Sequence, residues 1–220
     1  MSDYKAMLDQ PLAHVGMYTP TTMTTSSGLG FDLANPNAGS VTLSDISAGL
    51  SRIQRFGGQQ RPDQTWSVAD HSVFVGTLLA QEHTDHLTIF YGLLHDAHEA
   101  YIGDIVSPVK RALQILGAGD AVARLAVNVQ RAIHLYFGLQ EDPPARIQQA
   151  IERADMAALQ MEYDRFVRPI PNTTTPPYTG PQHPFLWHGP YDTSSSAARF
   201  EHYVNKFRTA TQNLPLDKRR

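Results

Sequence analysis

The chain has 220 residues, of which 41% are hydrophobic, enough apolar material to bury one substantial core, so a single main domain is expected. A net charge of -3 offers no basic excess to hold a polyanion, which argues against a nucleic-acid polymer as partner. Cysteine is absent, which excludes a disulfide scaffold, a thiol nucleophile and thiolate metal ligation and suits a reducing cytoplasm.

The opening residues, MSDYKAMLDQPLAHVG, contain no basic stretch followed by an apolar core. No later run reaches the roughly 18 apolar residues of a spanning helix, so a soluble, cytoplasmic protein without a membrane partner is expected. Residues 1–40 are weakly patterned, and TPTTMTTSSGLG favours an extended or loosely ordered surface arm. The remainder, 41–220, reads as the main domain.

A first helix is predicted from about Thr42 to Phe56, where Thr42 and Asp45 have capping-box spacing and Ile46, Leu50 and Ile53 form a stripe ahead of Gly57-Gly58. Ser67 and Asp70 repeat that spacing before a second helix, whose stripe is Val68, His71, Val75 and Leu78. A third is predicted from about Asp85 to Tyr101, with Leu87, Phe90, Tyr91 and Leu94 inward and HDAHE in its last turns before Gly103. A short helix follows Ser107-Pro108 to Leu116, then an amphipathic one from Asp120 to Phe137, closed by Gly138, and another from about Pro143 to Phe166. The Pro- and Thr-rich stretch 168–192 is too irregular for an ordinary connection and reads as a lid, on which Trp187 or His188 can close over a ligand. A last helix from about Ser194 to Asn213 presents Phe200, Tyr203, Val204 and Phe207 for docking. With no internal repeat and no alternating strand pattern, the fold class is all-α.

His95, Asp96 and Glu99 project to one side of their predicted helix and can converge on one ion. Alone, such a triplet usually marks a wet surface. His71, however, lies within an apolar stripe, where an imidazole requires a partner. Asp155 lies on the side of its helix that Ile147 and Ile151 mark as buried, where a carboxylate is costly without compensation. Either could be explained singly, His71 as a satisfied core histidine and Asp155 by pairing with Arg153 or Arg165. A shared divalent cation explains both at once. Two imidazoles and two carboxylates suit Mn, Co, Zn, Fe or Ni better than Ca, and leave positions open for water and substrate. Glu99 is placed to orient that water or move its proton; the bland alternative is an exposed helix carboxylate.

A His, then an adjacent His-Asp pair, then a distant Asp, here His71, His95-Asp96 and Asp155, resembles the HD-domain phosphohydrolase superfamily. Within it, RFGGQ (55–59), WSVADHS (66–72) and HDAHEAYIGDIVSPVK (95–110) are most similar to bacterial 5'-deoxynucleotidases and phage dATP triphosphohydrolases, over about residues 40–165. The resemblance implies a helical bundle with metal between the helices, homo-oligomers of two to six chains, and hydrolysis at the α-phosphorus of a 5'-nucleotide. It assigns His71, His95, Asp96 and Asp155 to metal, with room for a second divalent ion bound with substrate, and Glu99 to proton transfer. Arg55 matches a phosphate-binding arginine, Asp104 a carboxylate near the scissile phosphate, and Lys110 a phosphate-facing lysine. Bland alternatives are a helix C-terminus contact for Arg55, a helix cap for Asp104 and plain solvation for Lys110. Trp66 can stack on a base or sugar, or act as a packing anchor. The stretch from Arg55 to His71 is one residue longer than in the deoxynucleotidases, which makes Arg61 a candidate substitute. His98, often small in relatives, reads as an exposed helix residue, ahead of a substrate contact or second-metal ligand.

The leading expectation is therefore a hydrolase that releases phosphate from a deoxynucleoside monophosphate or triphosphate from a dNTP. Arg52, Arg61, Lys110 and Arg111 are the candidates to neutralise the longer substrate. Alarmone hydrolysis ranks lower, because the paired acidic motif usual there is Glu99-Ala100 here. A catalytically silent nucleotide-sensing module is the alternative from another class.

Overall fold

A computed structural model describes residues 19–82, 85–168 and 192–212. The fold is all-α apart from one small hairpin. Strands β1 (Thr22–Thr24) and β2 (Gly30–Asp32) pair antiparallel with Met23 opposite Phe31. Strands this short leave no room for a readable two-residue alternation. The described part of the expected arm is extended and tied to the body: Phe31 is fully buried and stacks on Tyr101 at 4.0 Å, while Ser26 and Ser27 donate their hydroxyls to Asp45. Residues 1–18 of that arm, and 169–191 of the expected lid with Trp187 and His188, lie outside the described residues.

Helix α1 spans Leu43–Arg52, capped by the Thr42 hydroxyl. It stops four residues short of the expected Phe56 because Gln54 is extended and bridges Ser67, after which Phe56 (φ 58) and Gly57 (φ 60) are both left-handed. The resulting 3-10 turn, Arg55–Gly58, presents Arg55 inward. Helix α2 (Val68–Gln81) begins at the complete Ser67/Asp70 capping box, and α3 (His86–Leu94) at the Asp85 cap. Both are buried almost all round, and they touch through glycines: a Cβ on Gly76 would come 2.6 Å from Leu93, and one on Gly92 would come 2.2 Å from Leu79.

The helix expected to run on to Tyr101 breaks after Leu94 and resumes only as α4 (Glu99–Ile102). Carbonyls that would continue the ladder are already taken: Gly92 O accepts from His95 Nδ1, and Leu94 O from the Gln130 amide. Tight bonds from Ala97 to Leu94 and from Glu99 to Asp96 replace the helical pattern. HDAHE therefore occupies a turn and the start of α4, not a continuous helix.

Helix α5 (Ser107–Ile115) buries none of its residues, and packs beside α6 (Gly119–Tyr136). Helix α7 (Ala145–Phe166) lies on α2 and α3 through Ile147, Ile151 and Ala158. Helix α8 (Thr193–Gln212) closes the core against α1, α2 and α3 with Phe200, Val204 and Phe207. No helix among the described residues is long and apolar enough to cross a membrane.

Candidate metal centre

His71 sits in the first turns of α2 and is fully buried. Its Nδ1 lies 2.7 Å from Glu162 Oε1, and Nδ1 of His95 lies 2.8 Å from the Gly92 carbonyl. Both acceptors lack a hydrogen, so each ring donates from Nδ1, which leaves Nε2 as the atom an ion would meet once its proton is displaced. These two nitrogens face each other at 3.3 Å. Asp96 Oδ2 stands 3.1 Å from His95 Nε2 and 3.5 Å from His71 Nε2, while Asp155 Oδ1 stands 3.1 Å from His71 Nε2 and 3.8 Å from His95 Nε2. Donors about 2.0–2.2 Å from a common ion lie roughly 3.0–3.6 Å apart; all of these distances fall in that range except His95 to Asp155, which at 3.8 Å lies just beyond it. Four electron-rich atoms held this close repel one another unless positive charge lies among them.

Burial penalises charge on His95 and on Asp155, yet the mutual attraction wins: His95 is raised well above the ordinary histidine value and Asp155 is lowered. Asp155 meets the two imidazoles, and its side chain is 41% exposed, so it is the rim of the cage where the sequence suggested a buried floor.

Glu162 was not legible as a site residue. It lies seven positions beyond Asp155, two turns along the same face of α7, and is fully buried. Its Oε1 accepts from His71 and from Trp66 Nε1, both at 2.7 Å, and its Oε2 pairs with Arg55 at 3.3 Å. A carboxylate behind a ligating imidazole fixes the tautomer and the ring plane. The i, i+7 carboxylate spacing was the available signal.

Arg55, 8% exposed, reaches the centre as expected, with Nη1 3.8 Å from Asp96 Oδ2. Burial opposes its charge, but Glu162 and Asp96 hold it protonated above the usual arginine range. Trp66 requires a correction. It is 3% exposed, its N–H is satisfied by Glu162 and its ring stacks on Phe166 at 5.1 Å, so it anchors packing and presents no face to a base. Arg61 is no substitute for Arg55: its guanidinium binds the carbonyls of Asp164 and Val167 at the end of α7.

Glu99 is 3% exposed, against the reading as a surface carboxylate, and Oε2 has no hydrogen-bond partner among the described residues. Burial, then Asp96 and Asp104, push its pKa up to about 9. Asp104 is also raised, by burial first, while Arg55 partly offsets the effect. It does not cap α5, whose N-cap is Val106 and which has no side-chain cap. Lys110 is exposed and borders a cleft of about 370 Å³ whose walls include His98, Glu99, Ile102, Leu113 and Val122. A second cleft of about 320 Å³ opens over His95, Asp96 and Asp155, with Gln130, Glu141 and Glu152 opposite. His98, expected to be exposed, is half-buried between the two and bonded to Gln130.

The donor set fits a divalent cation of the borderline kind: His71, His95, Asp96 and Asp155 would hold it, with Glu162 supporting. No protein-family profile matches the chain. It is similar to the uncharacterized protein RCAP_rcc00048 of Rhodobacter capsulatus, 35% identical over 141 residues that make up 63% of this chain and 69% of that protein. It is also similar to the uncharacterized protein YfdR of Escherichia coli, 33% identical over 138 residues, 63% of this chain and 68% of the relative.

Proposed function

The chain belongs to one family with these two uncharacterized bacterial proteins, and from that premise and the centre's geometry we propose that it is a metal-dependent phosphohydrolase cleaving a 5'-nucleotide at its α-phosphorus. The observation that carries the reading is the meeting of two imidazole Nε2 atoms and two carboxylate oxygens at 3.1–3.8 Å. A divalent cation bound there supplies Lewis acidity, lowering the pKa of a water and drawing charge from a phosphoryl oxygen. The resemblance to HD-domain phosphohydrolases names the ester to be cleaved.

The protein's own groups then divide the work. Arg55, buried beside Asp96, holds a phosphate oxygen through a planar fork of donors. Glu99, whose buried carboxyl holds a proton tightly in the metal-free chain, would take the proton of the attacking water once the cation and Arg55 have drawn its own proton off. Asp104 lies within electrostatic reach of Arg55, Asp96 and Lys110, and Lys110 would meet the phosphate from the first cleft.

Charge favours the shorter substrate. Of the cations considered for a triphosphate, Arg61 is committed to α7 carbonyls, Arg52 to its own helix at Ala48 O, and Arg111 is exposed on α5. The second cleft faces incoming phosphates with Glu141, Asp142 and Glu152. A deoxynucleoside monophosphate fits this distribution better than a dNTP.

Metal-replete protein offered dNMPs, dNTPs and guanosine tetraphosphate, with phosphate, pyrophosphate and triphosphate measured separately, is expected to release phosphate from dNMPs. Absence of product with Mn, Co, Zn, Fe and Ni would leave a nucleotide-binding module without turnover. Asp155→Ala is expected to lose the ion of this centre, whereas Glu99→Ala keeps that ion and loses about 10²–10⁴-fold in turnover. Equal loss of that ion in both variants would show the roles to be wrongly divided.

A further inference from the structure

We propose that Gln130, on the neighbouring helix α6, is a positioning residue: its side-chain amide is inserted into the helical ladder between Leu94 and His98 and thereby sets where Asp96 and Glu99 stand. The proposal rests on the preceding reading only in taking the His71–His95 centre as the working site.

In a continuous α-helix the His98 N–H donates to the carbonyl four residues back, that of Leu94. Here both groups bind Gln130. Leu94 O accepts from the amide nitrogen at 2.7 Å, and the His98 N–H donates to Oε1 at 3.1 Å. One primary amide, with a donor on one side and an acceptor on the other, takes the place of the helical bond and satisfies both backbone groups. The apolar stripe that predicts a helix as far as Tyr101 carries no trace of a wedge supplied from 32 residues downstream.

The amide can face only one way. His134 Nδ1 lies 2.7 Å from the Glu141 carbonyl and therefore donates, which leaves His134 Nε2 to accept the second amide hydrogen of Gln130 at 2.8 Å. His98 Nδ1 brings a further donor to Oε1 at 3.1 Å. A flipped amide would set its oxygen against the Leu94 carbonyl. His134 is 4% exposed and meets the Tyr91 ring edge-on at 5.0 Å, so the far end of this chain of bonds is anchored in the core.

The consequence for the centre is geometric. Around the wedge the bonds tighten to three-residue spacing, Ala97 to Leu94 and Glu99 to Asp96. A 3-10 path advances about 2.0 Å and 120° per residue, against about 1.5 Å and 100° in an α-helix. Over the four residues 95–98 the difference amounts to roughly 2 Å and 80°. On the tight path residues three apart eclipse, which stacks Glu99 over Asp96, whereas a helix would stack it over His95. The carboxylates of Asp96 and Glu99 accordingly approach within 4.8 Å, while Asp96 still reaches to 3.1 Å from His95 Nε2. Misplacing a reacting group by about 1 Å can cost 10²-fold in rate, so a shift of this size decides whether the centre works.

The test uses the full chain carrying Gln130→Met, which keeps the length of the side chain and removes the amide. Its crystal structure is expected to show His98 N–H bonded to Leu94 O and a helix continuous from α3 into α4. Mn(II) affinity, titrated on chelator-stripped protein, should fall roughly 10–100-fold. Turnover of a deoxynucleoside monophosphate at saturating Mn(II) should fall about 10²-fold. Leu125→Ala, which removes core packing from the same helix, should lower stability in urea and leave affinity and turnover at wild-type values. Circular dichroism checks folding, and Gln130→Leu carries the test if Gln130→Met does not fold. An unaltered turn in the variant structure, wild-type affinity together with wild-type turnover, or equal losses in Leu125→Ala, overturns the proposal. A wild type that binds Mn(II) and hydrolyses no nucleotide overturns the preceding reading alone, because the variant structure and the Mn(II) affinity still decide the role of Gln130.

Discussion

Glu99 is a carboxylate in a place where carboxylates are expensive. Folding removes it from water and sets it between Asp96 and Asp104, so the metal-free folded chain grips its proton up to a pKa of about 9, against an ordinary 4.5. Between those values the folded state holds a proton that the unfolded state has released. Its contribution to stability is thus fully present below pH 4.5 and is lost as pH rises through about 9. Chelator-treated wild type should therefore lose stability towards alkaline pH faster than Glu99→Gln in urea titrations repeated across that range; parallel profiles would contradict the assignment. The candidate ligands themselves were readable because ligand-type side chains interrupt apolar stripes, as His71 does between Val68 and Val75. Glu162 was not, since its partners Trp66, His71 and Arg55 come from sequence far removed and only the folded chain brings them together. Trp66 misled for the converse reason: an indole beside a helix entrance looks available until a buried acceptor is found for its N–H.

At the scale of elements, periodicity located every helix of the core but not the break at His95. Periodicity reports which face is apolar; it does not report that Gly92 and Leu94 lend their carbonyls to His95 and Gln130. The hairpin escaped for want of length, although Phe31 is as deeply placed as any core residue. The turn that carries Glu99 leans directly on α1: a Cβ on Gly49 would stand 2.8 Å from Ala100 O and 2.9 Å from its Cα. Backbone cannot swing aside as a side chain does. Gly49→Ala is expected to cost about 1–3 kcal/mol in urea unfolding and to displace α4. Turnover should fall while metal content at His71 and His95 is retained; unchanged turnover would mean that α4 tolerates the shift.

Taken as a whole, the molecule is closed by its last described element, for α8 brings Phe200, Val204 and Phe207 against α1, α2 and α3 and joins Ser196 to Asp70 at the start of α2. The bundle also gathers candidate metal ligands from three separated stretches of chain, at 71, 95–96 and 155. An ion shared among them works as a removable crosslink across most of the fold, and crosslinks spanning long loops restrict the unfolded chain most. Loss of metal should then shorten the lifetime of the native state as well as silence it: chelated protein is expected to be cut by a protease at a rate that added Mn(II) restores to a slower value, and equal rates would mean that the cage stands without its ion. In a cell short of metal, such a protein would be cleared instead of accumulating in an idle form.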